Sequence, residues 1–294
     1  MPRYKKFFKP KILLLYKQST YASFFLSRQR HLANLRHFFT VDEIKRLQES
    51  HENYFWALSH VESVLKNKGL RFTKVRRGIG TDYQCFDLVM TFGGDGTFLE
   101  AARQIKRGLL WGVNSDPVWS VGRFCSGNPA NFEVLLDRIL KGKFYCKTFY
   151  RLQLIVDGAK PFNVLNDILI CHQSPAAMSR YYVQIGNRKE EQKSSGIWIA
   201  TAAGSSGAIY SAGGKILSDH SQWIQYLPRE LYRGQGISYK LKGGVLKQGQ
   251  GLSVTSLMRQ GKVFVDGCHV CLPFSFGTTV KISHSQYPLH VIWK

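Results

Sequence analysis

The chain has 294 residues, 44% of them hydrophobic, and 41 Lys and Arg against 19 Asp and Glu give it a formal net charge of +22. That is enough for two ordinary globular domains, while no apolar run approaches the roughly 18–20 residues that cross a bilayer and the basic start lacks the apolar core of a secretory signal. Six cysteines over this length make no disulfide framework, so a cytoplasmic protein with no membrane partner is expected, and the charge favours anionic ligands. The basic residues are spread along the chain, and no RNA-binding sheet signature, helix-turn-helix or Cys–His finger accompanies them, so no specific nucleic-acid partner is expected.

Residues 11–17 read as a first strand. A helix follows over about 42–67, with Phe55, Leu58, Val61 and Leu65 at helical spacing and Gly69 as its stop. A second strand is expected around 70–75. The apolar run 86–92 then ends at Gly93-Gly94-Asp95-Gly96-Thr97, which reads as a buried parallel strand entering a tight turn. Residues 98–105 read as a helix, 109–114 as another buried strand, and 131–141 as a further helix. This alternation argues for a doubly wound sheet whose ligands sit beyond the carboxyl ends of the strands, where the GGDGT turn and Asn114 both fall. From about 150 short alternating stretches separated by Gly, Asn and Asp turns take over, with helical periodicity confined to 205–217. The expected fold is therefore an α/β, Rossmann-like domain over 1–148 and an all-β domain over 149–285. A closing apolar strand at about 286–294 is free to return to the first domain.

The chemistry concentrates in the turn. Its three glycines remove Cβ atoms that would keep backbone N–H groups away from a phosphate, and the following helix directs its partial positive end there. Asp95 sits among these groups although a carboxylate repels phosphate, which points to a proton acceptor or a metal partner. Elsewhere the residues leave alternatives open. Asn166-Asp167 suits a strand-entry turn, Gly204-Ser205-Ser206-Gly207 a helix cap, Lys193 a solvated charged turn and Asp266-Gly267 a hairpin. Cys268-His269-Val270-Cys271 has no second cysteine pair and reads as packed reduced thiols.

GGDGT at 93–97, Asn166-Asp167 at a strand head, Lys193-Ser194-Ser195-Gly196 and the stretch 201–214 ending SAGG occur in an order and spacing that resembles the NAD kinase family over nearly the whole chain. GGDG alone is shared with diacylglycerol, sphingosine and phosphofructo-kinases; the combination is far more specific. Gly112–Pro117, Gln192–Gly196 and the helix at 51–67 look like the branch that includes the animal mitochondrial NAD kinase. The resemblance implies transfer of a phosphoryl group from ATP, or from polyphosphate in some members, to the 2′-hydroxyl of the adenosine ribose of NAD. It also implies Mg²⁺ or another divalent cation, and a homo-oligomer built through the β domain. By position Asp95 matches the catalytic carboxylate, while Gly93, Gly94, Gly96, Thr97 and Asn114 fall at the nucleotide-binding turns. Asn166 and Asp167 match an Asn-Glu pair that holds the nucleoside, and Lys193, Ser195, Ser206 and Ser211 match further contacts. Ala208 stands for the usual Tyr, Ala202-Ala203 for Pro-Thr, Ser195 for Asp and Cys268 for Gln, which thins the contacts expected around NAD.

Overall fold

Strands that run parallel need a crossover between them, and a helix in that crossover covers one face of the sheet. The computed structural model describes residues 9–26, 38–234 and 236–293, and the chain divides into two compact units. The first takes in the described residues up to Ala101, then Arg107–Lys147 and those from His290. The second takes in Ala102–Lys106 and Thr148–Leu289.

The strands of the first unit are β1 (Ile12–Tyr16), β2 (Phe72–Arg76), β3 (Leu88–Gly93), β4 (Leu109–Asn114), β5 (Tyr145–Phe149) and, last in chain order, β18 (Leu289–Trp293). Their order is β2-β1-β3-β4-β18-β5, and the pairs from β2 through β18 are parallel. Every residue of β3 and β4 is buried, which is why both read as almost continuous apolar runs. Helix α1 (Val41–Asn67) opens on a capping box between Thr40 and Glu43. It closes at Gly69, which takes φ 67° where other residues are strained. Leu58, Val61 and Leu65 of α1 share a core with Leu14, Met90 and Trp111 of the sheet. Phe132, Leu136 and Ile139 of helix α3 (Phe132–Leu140) join the same core. Full burial of such side chains contributes about 1.5–3 kcal/mol each. Helix α2 (Asp95–Gln104) buries Phe98, which stacks on Phe124 with ring centroids 5.2 Å apart.

The strand order reverses between β1 and β3, because β2 lies on one side of β1 and β3 on the other. Sheets of this kind take ligands outside the carboxyl ends of the strands at such a reversal. Lys17, Arg77 and Gly94 each follow directly on β1, β2 and β3 and so stand at that edge.

The second unit is built from two six-stranded sheets. One runs β10 (Arg188–Ser194), β9 (Ser179–Ile185), β14 (Leu252–Ser256), β17 (Thr279–His284), β6 (Leu152–Val156), β7 (Phe162–Val164). The other runs β13 (Gly244–Leu246), β12 (Ile224–Pro228), β11 (Ile197–Ala200), β8 (Asp167–His172), β15 (Gly261–Val265), β16 (Val270–Phe274). Alternate residues of both sheets, among them Leu154, Val183, Val254, Ile168, Ile199 and Val263, form one apolar core. An α/β amino-terminal part and a β-rich carboxyl-terminal part are thus what the chain adopts.

Two local expectations change. Helix α2 starts at Asp95 instead of Phe98, so Asp95, Gly96 and Thr97 of the GGDGT run already belong to the first helical turn. The helical reading of 205–217 shrinks to a 3-10 turn at Ala203–Ser206 and the single turn α4 (Ala208–Ser211). Gly213, at φ 98°, and Gly214 end it by donating to Tyr210 O and Ile209 O, both at 2.9 Å. Among the described residues no helix is long and apolar enough to cross a membrane.

Candidate active site

In the first unit Gly94 caps α2: its carbonyl accepts the N–H of Thr97 at 3.0 Å and of Phe98 at 3.3 Å. Asp95 is the first helical residue, half-buried. Its Oδ1 accepts the Phe124 N–H at 2.9 Å and its Oδ2 the Arg123 N–H at 3.1 Å. Each oxygen keeps a second lone pair, so the carboxylate is held in orientation and still able to accept a proton. Asn114 shapes the loop that delivers those two amides. Its Nδ2 donates to Ser120 O at 2.8 Å and its Oδ1 accepts the Asp116 N–H at 3.1 Å. A Cβ at Gly122 (φ 54°) would lie 2.5 Å from Asn114 Nδ2, so the loop closes on a glycine.

The other turn residues are placed as follows. Thr97 is 1% exposed, packed on Gly93, and its hydroxyl has no hydrogen-bond partner among the described residues. A Cβ at Gly94 would meet the Ser120 hydroxyl at 2.7 Å, and one at Gly96 would meet Arg77 Nη1 at 3.1 Å. The space that the glycines leave is therefore flanked by the Ser120 hydroxyl and the Arg77 guanidinium, which nothing in the sequence singles out. No three His, Cys, Asp or Glu side chains gather as a metal-binding group among the described residues. The single carboxylate at the glycine turn, Asp95, offers oxygen ligation that a hard divalent cation accepts but is no complete cage for one.

In the second unit three distant segments meet at the head of β8. The Asp266 carboxylate, completely buried, accepts the N–H of Asn166 at 2.7 Å and of Leu165 at 3.3 Å. Arg103 Nη1 lies 3.7 Å from the same carboxylate. Asn166 Nδ2 donates to Asp167 Oδ2 at 2.9 Å. Thr201 fastens the Gly-Ser segment to this turn: its hydroxyl donates to Leu165 O at 2.5 Å and accepts the Gly204 N–H at 2.9 Å. Gly204 touches the Asn166 carbonyl so closely that no Cβ fits, and a Cβ at Gly207 would stand 3.6 Å from Asn166 Nδ2 and 3.9 Å from Asp167 Oδ2. Ser206 is half-buried in the 3-10 turn and Ser211 exposed at the end of α4. Lys193 and Ser195 are half-buried where β10 gives way to β11, with Ser195 N–H donating to Arg229 O at 2.9 Å. Asp266-Gly267, read from sequence as a hairpin turn, is one (φ 50° and 98°), and its carboxylate also pins the Asn166-Asp167 turn.

Burial, with Asp266 adding repulsion, pushes the Asp167 carboxyl up to about 7. Burial likewise raises Asp266, to about 6, against the opposing pull of Arg103 and three backbone N–H groups. Between the unfolded carboxylate value near 4 and these raised values the folded state holds protons that the unfolded state has released, so stability falls as pH rises through that window. The unfolding free energy of the wild type is expected to drop on going from pH 4 to pH 8. Asp167→Asn, which keeps an acceptor for Asn166, should remove about 1–3 kcal/mol of that drop. Denaturant melts of both proteins at the two pH values check it, and parallel pH curves would refute the assigned burial cost.

No protein-family model matches the chain. A protein of Oryza sativa subsp. japonica named "Probable NADH kinase" is 33% identical over 255 residues, covering 79% of this chain and 78% of that one. NADH kinase of Arabidopsis thaliana is 31% identical over 260 residues, covering 80% and 82%. Among solved structures, an NAD kinase from Archaeoglobus fulgidus in complex with ATP matches with a TM-score of 0.69 at 20% identity, over 96% of this chain and 93% of that one. At that identity the likeness speaks for the fold.

Proposed function

We propose that this chain, which belongs to the NAD kinase family, transfers the terminal phosphoryl group of ATP to the 2′-hydroxyl of the adenosine ribose of NAD, giving NADP. The observation that carries the reading is the Asp95 carboxylate, fixed by two amides in the first turn of α2 with a lone pair left on each oxygen. Phosphoryl transfer asks mainly for alignment and charge neutralisation, and a positioned base adds about 10²–10⁴-fold. Asp95 takes the proton from the attacking hydroxyl. Gly93, Gly94, Gly96, Thr97 and Asn114 form and support the turn that receives nucleotide phosphate. Asn166 and Asp167 hold the nucleoside, with Lys193, Ser195, Ser206 and Ser211 as further contacts. A divalent cation such as Mg²⁺, when bound, would supply neutralisation of phosphate charge, with Asp95 the carboxylate nearest the turn.

The names of the two plant relatives favour a second reading in which NADH is the acceptor. The adenosine ribose is the same in both dinucleotides, so Asp95 has the same task. Purified protein incubated with ATP, Mg²⁺ and either NAD or NADH is expected to yield the 2′-phosphorylated product, read by an NADP-specific dehydrogenase or by chromatography. The ratio of the two kcat/KM values assigns the acceptor, and replacing ATP by polyphosphate assigns the donor. Absence of product from either dinucleotide with either donor would defeat the proposal. A cytoplasmic homo-oligomer is part of the same reading; light scattering at a monomer mass would remove the oligomer.

A further inference from the structure

We propose that Lys17 and Arg77 form a cationic clamp for the phosphate chain of the phosphoryl donor at the GGDGT turn. The inference rests on the kinase reading for its ligand, but the clamp itself comes from the geometry of the first unit. A helix N-terminus carries about half a positive charge, and an acidic first residue uses up that attraction. Asp95 is such a residue. With that carboxylate in its first turn, the helix end alone is a poor partner for a polyanionic phosphate chain, so basic side chains nearby matter.

They come from the neighbouring strand ends. Arg77, directly after β2, is four-fifths buried, and its Nε donates to Glu100 Oε2 at 3.0 Å. Glu100 is itself fixed by the Gly78 N–H at 2.8 Å. This grip uses one corner of the guanidinium and leaves Nη1 over Gly96, at 3.1 Å from where a Cβ would stand. Lys17, directly after β1, runs its stem beside Gly93, with Cδ 3.5 Å from the corresponding Cβ position. Its backbone is anchored by the Tyr54 hydroxyl, which donates to Lys17 O at 2.5 Å. The Lys17 stem and the Arg77 guanidinium thus flank the first and third glycines at the point where the strand order reverses. A pre-oriented guanidinium suits two phosphate oxygens at once, and the ammonium adds a point charge.

Calorimetric titration with inorganic tripolyphosphate tests the clamp without needing turnover. Wild type is expected to bind it, and Arg77→Ala and Lys17→Met are each expected to bind about 10-fold or more weakly, with partial recovery in Arg77→Lys. In the coupled assay the same variants should raise KM for ATP about 10-fold while KM for the dinucleotide stays within about twofold. Thermal melts of all variants identify any that fail to fold, and Arg77→Lys with Lys17→Met then carry the test. Tripolyphosphate affinity unchanged in both folded variants overturns the proposal, as does a rise in KM confined to the dinucleotide or a wild type that binds no tripolyphosphate. If the wild type binds tripolyphosphate through these residues yet forms no NADP or NADPH, the kinase reading fails and the clamp stands.

Discussion

Asp95→Asn is expected to lower kcat by about 10³-fold while leaving KM for the dinucleotide within about threefold. The amide has the carboxylate's shape but cannot take a proton from the ribose hydroxyl at neutral pH. It also presents one oxygen to two amide donors, Arg123 N–H and Phe124 N–H, so one of those bonds is lost. That loss costs about 1–2 kcal/mol of stability, which a denaturant melt resolves and which is too small to unfold an ordinary domain. The two readouts therefore separate a chemical role from a structural one. A variant that keeps more than a tenth of wild-type kcat would take Asp95 out of the reaction, whatever its melting point.

The second large effect is expected at Gly204. A methyl group there would overlap the Asn166 carbonyl, and both residues are tied to Thr201, so neither can retreat without breaking the turn. Gly204→Ala should destabilise the protein by about 2–4 kcal/mol and raise KM for the dinucleotide at least about 10-fold. Gly207→Ala is the informative contrast. Its methyl group would stand 3.2 Å from the Gly204 carbonyl and 3.6 Å from Asn166 Nδ2, a tight but tolerable fit. Stability should change by less than about 1 kcal/mol while KM still rises, because the added carbon crowds the polar ends of Asn166 and Asp167. Equal effects of the two substitutions on stability and KM would mean that the turn is not packed as described.

Much of this was readable from the chain. The buried runs of β3 and β4 and the glycines at the end of β3 identify a strand-to-helix turn because parallel strands covered on both faces leave no solvent-facing positions to confuse the pattern. The period of two in the second half identifies its sheets for a related reason, since each strand has one face in the core. What the sequence hid was long-range. Asp266 lies 100 residues from Asn166, and a DG pair looks the same whether its carboxylate is solvated or bound to another turn. Lys17 and Arg77 are ordinary basic residues until the sheet order brings the ends of β1, β2 and β3 to one edge. The expected helix at 205–217 is over-long because Ala208, Ile209 and Ala212 have helical spacing, whereas Gly213 and Gly214 turn the chain out of the helix after one turn.

The place of β18 has a consequence for how the protein is made. It sits between β4 and β5 in the sheet, yet it leaves the ribosome about 140 residues after β5. Throughout synthesis of the β-rich part, β4 has an open hydrogen-bonding edge and β5 has no neighbour to pair with. Such edges invite pairing with other nascent chains, so the amino-terminal half is predisposed to remain unfinished, and to need chaperone cover, until this late segment emerges.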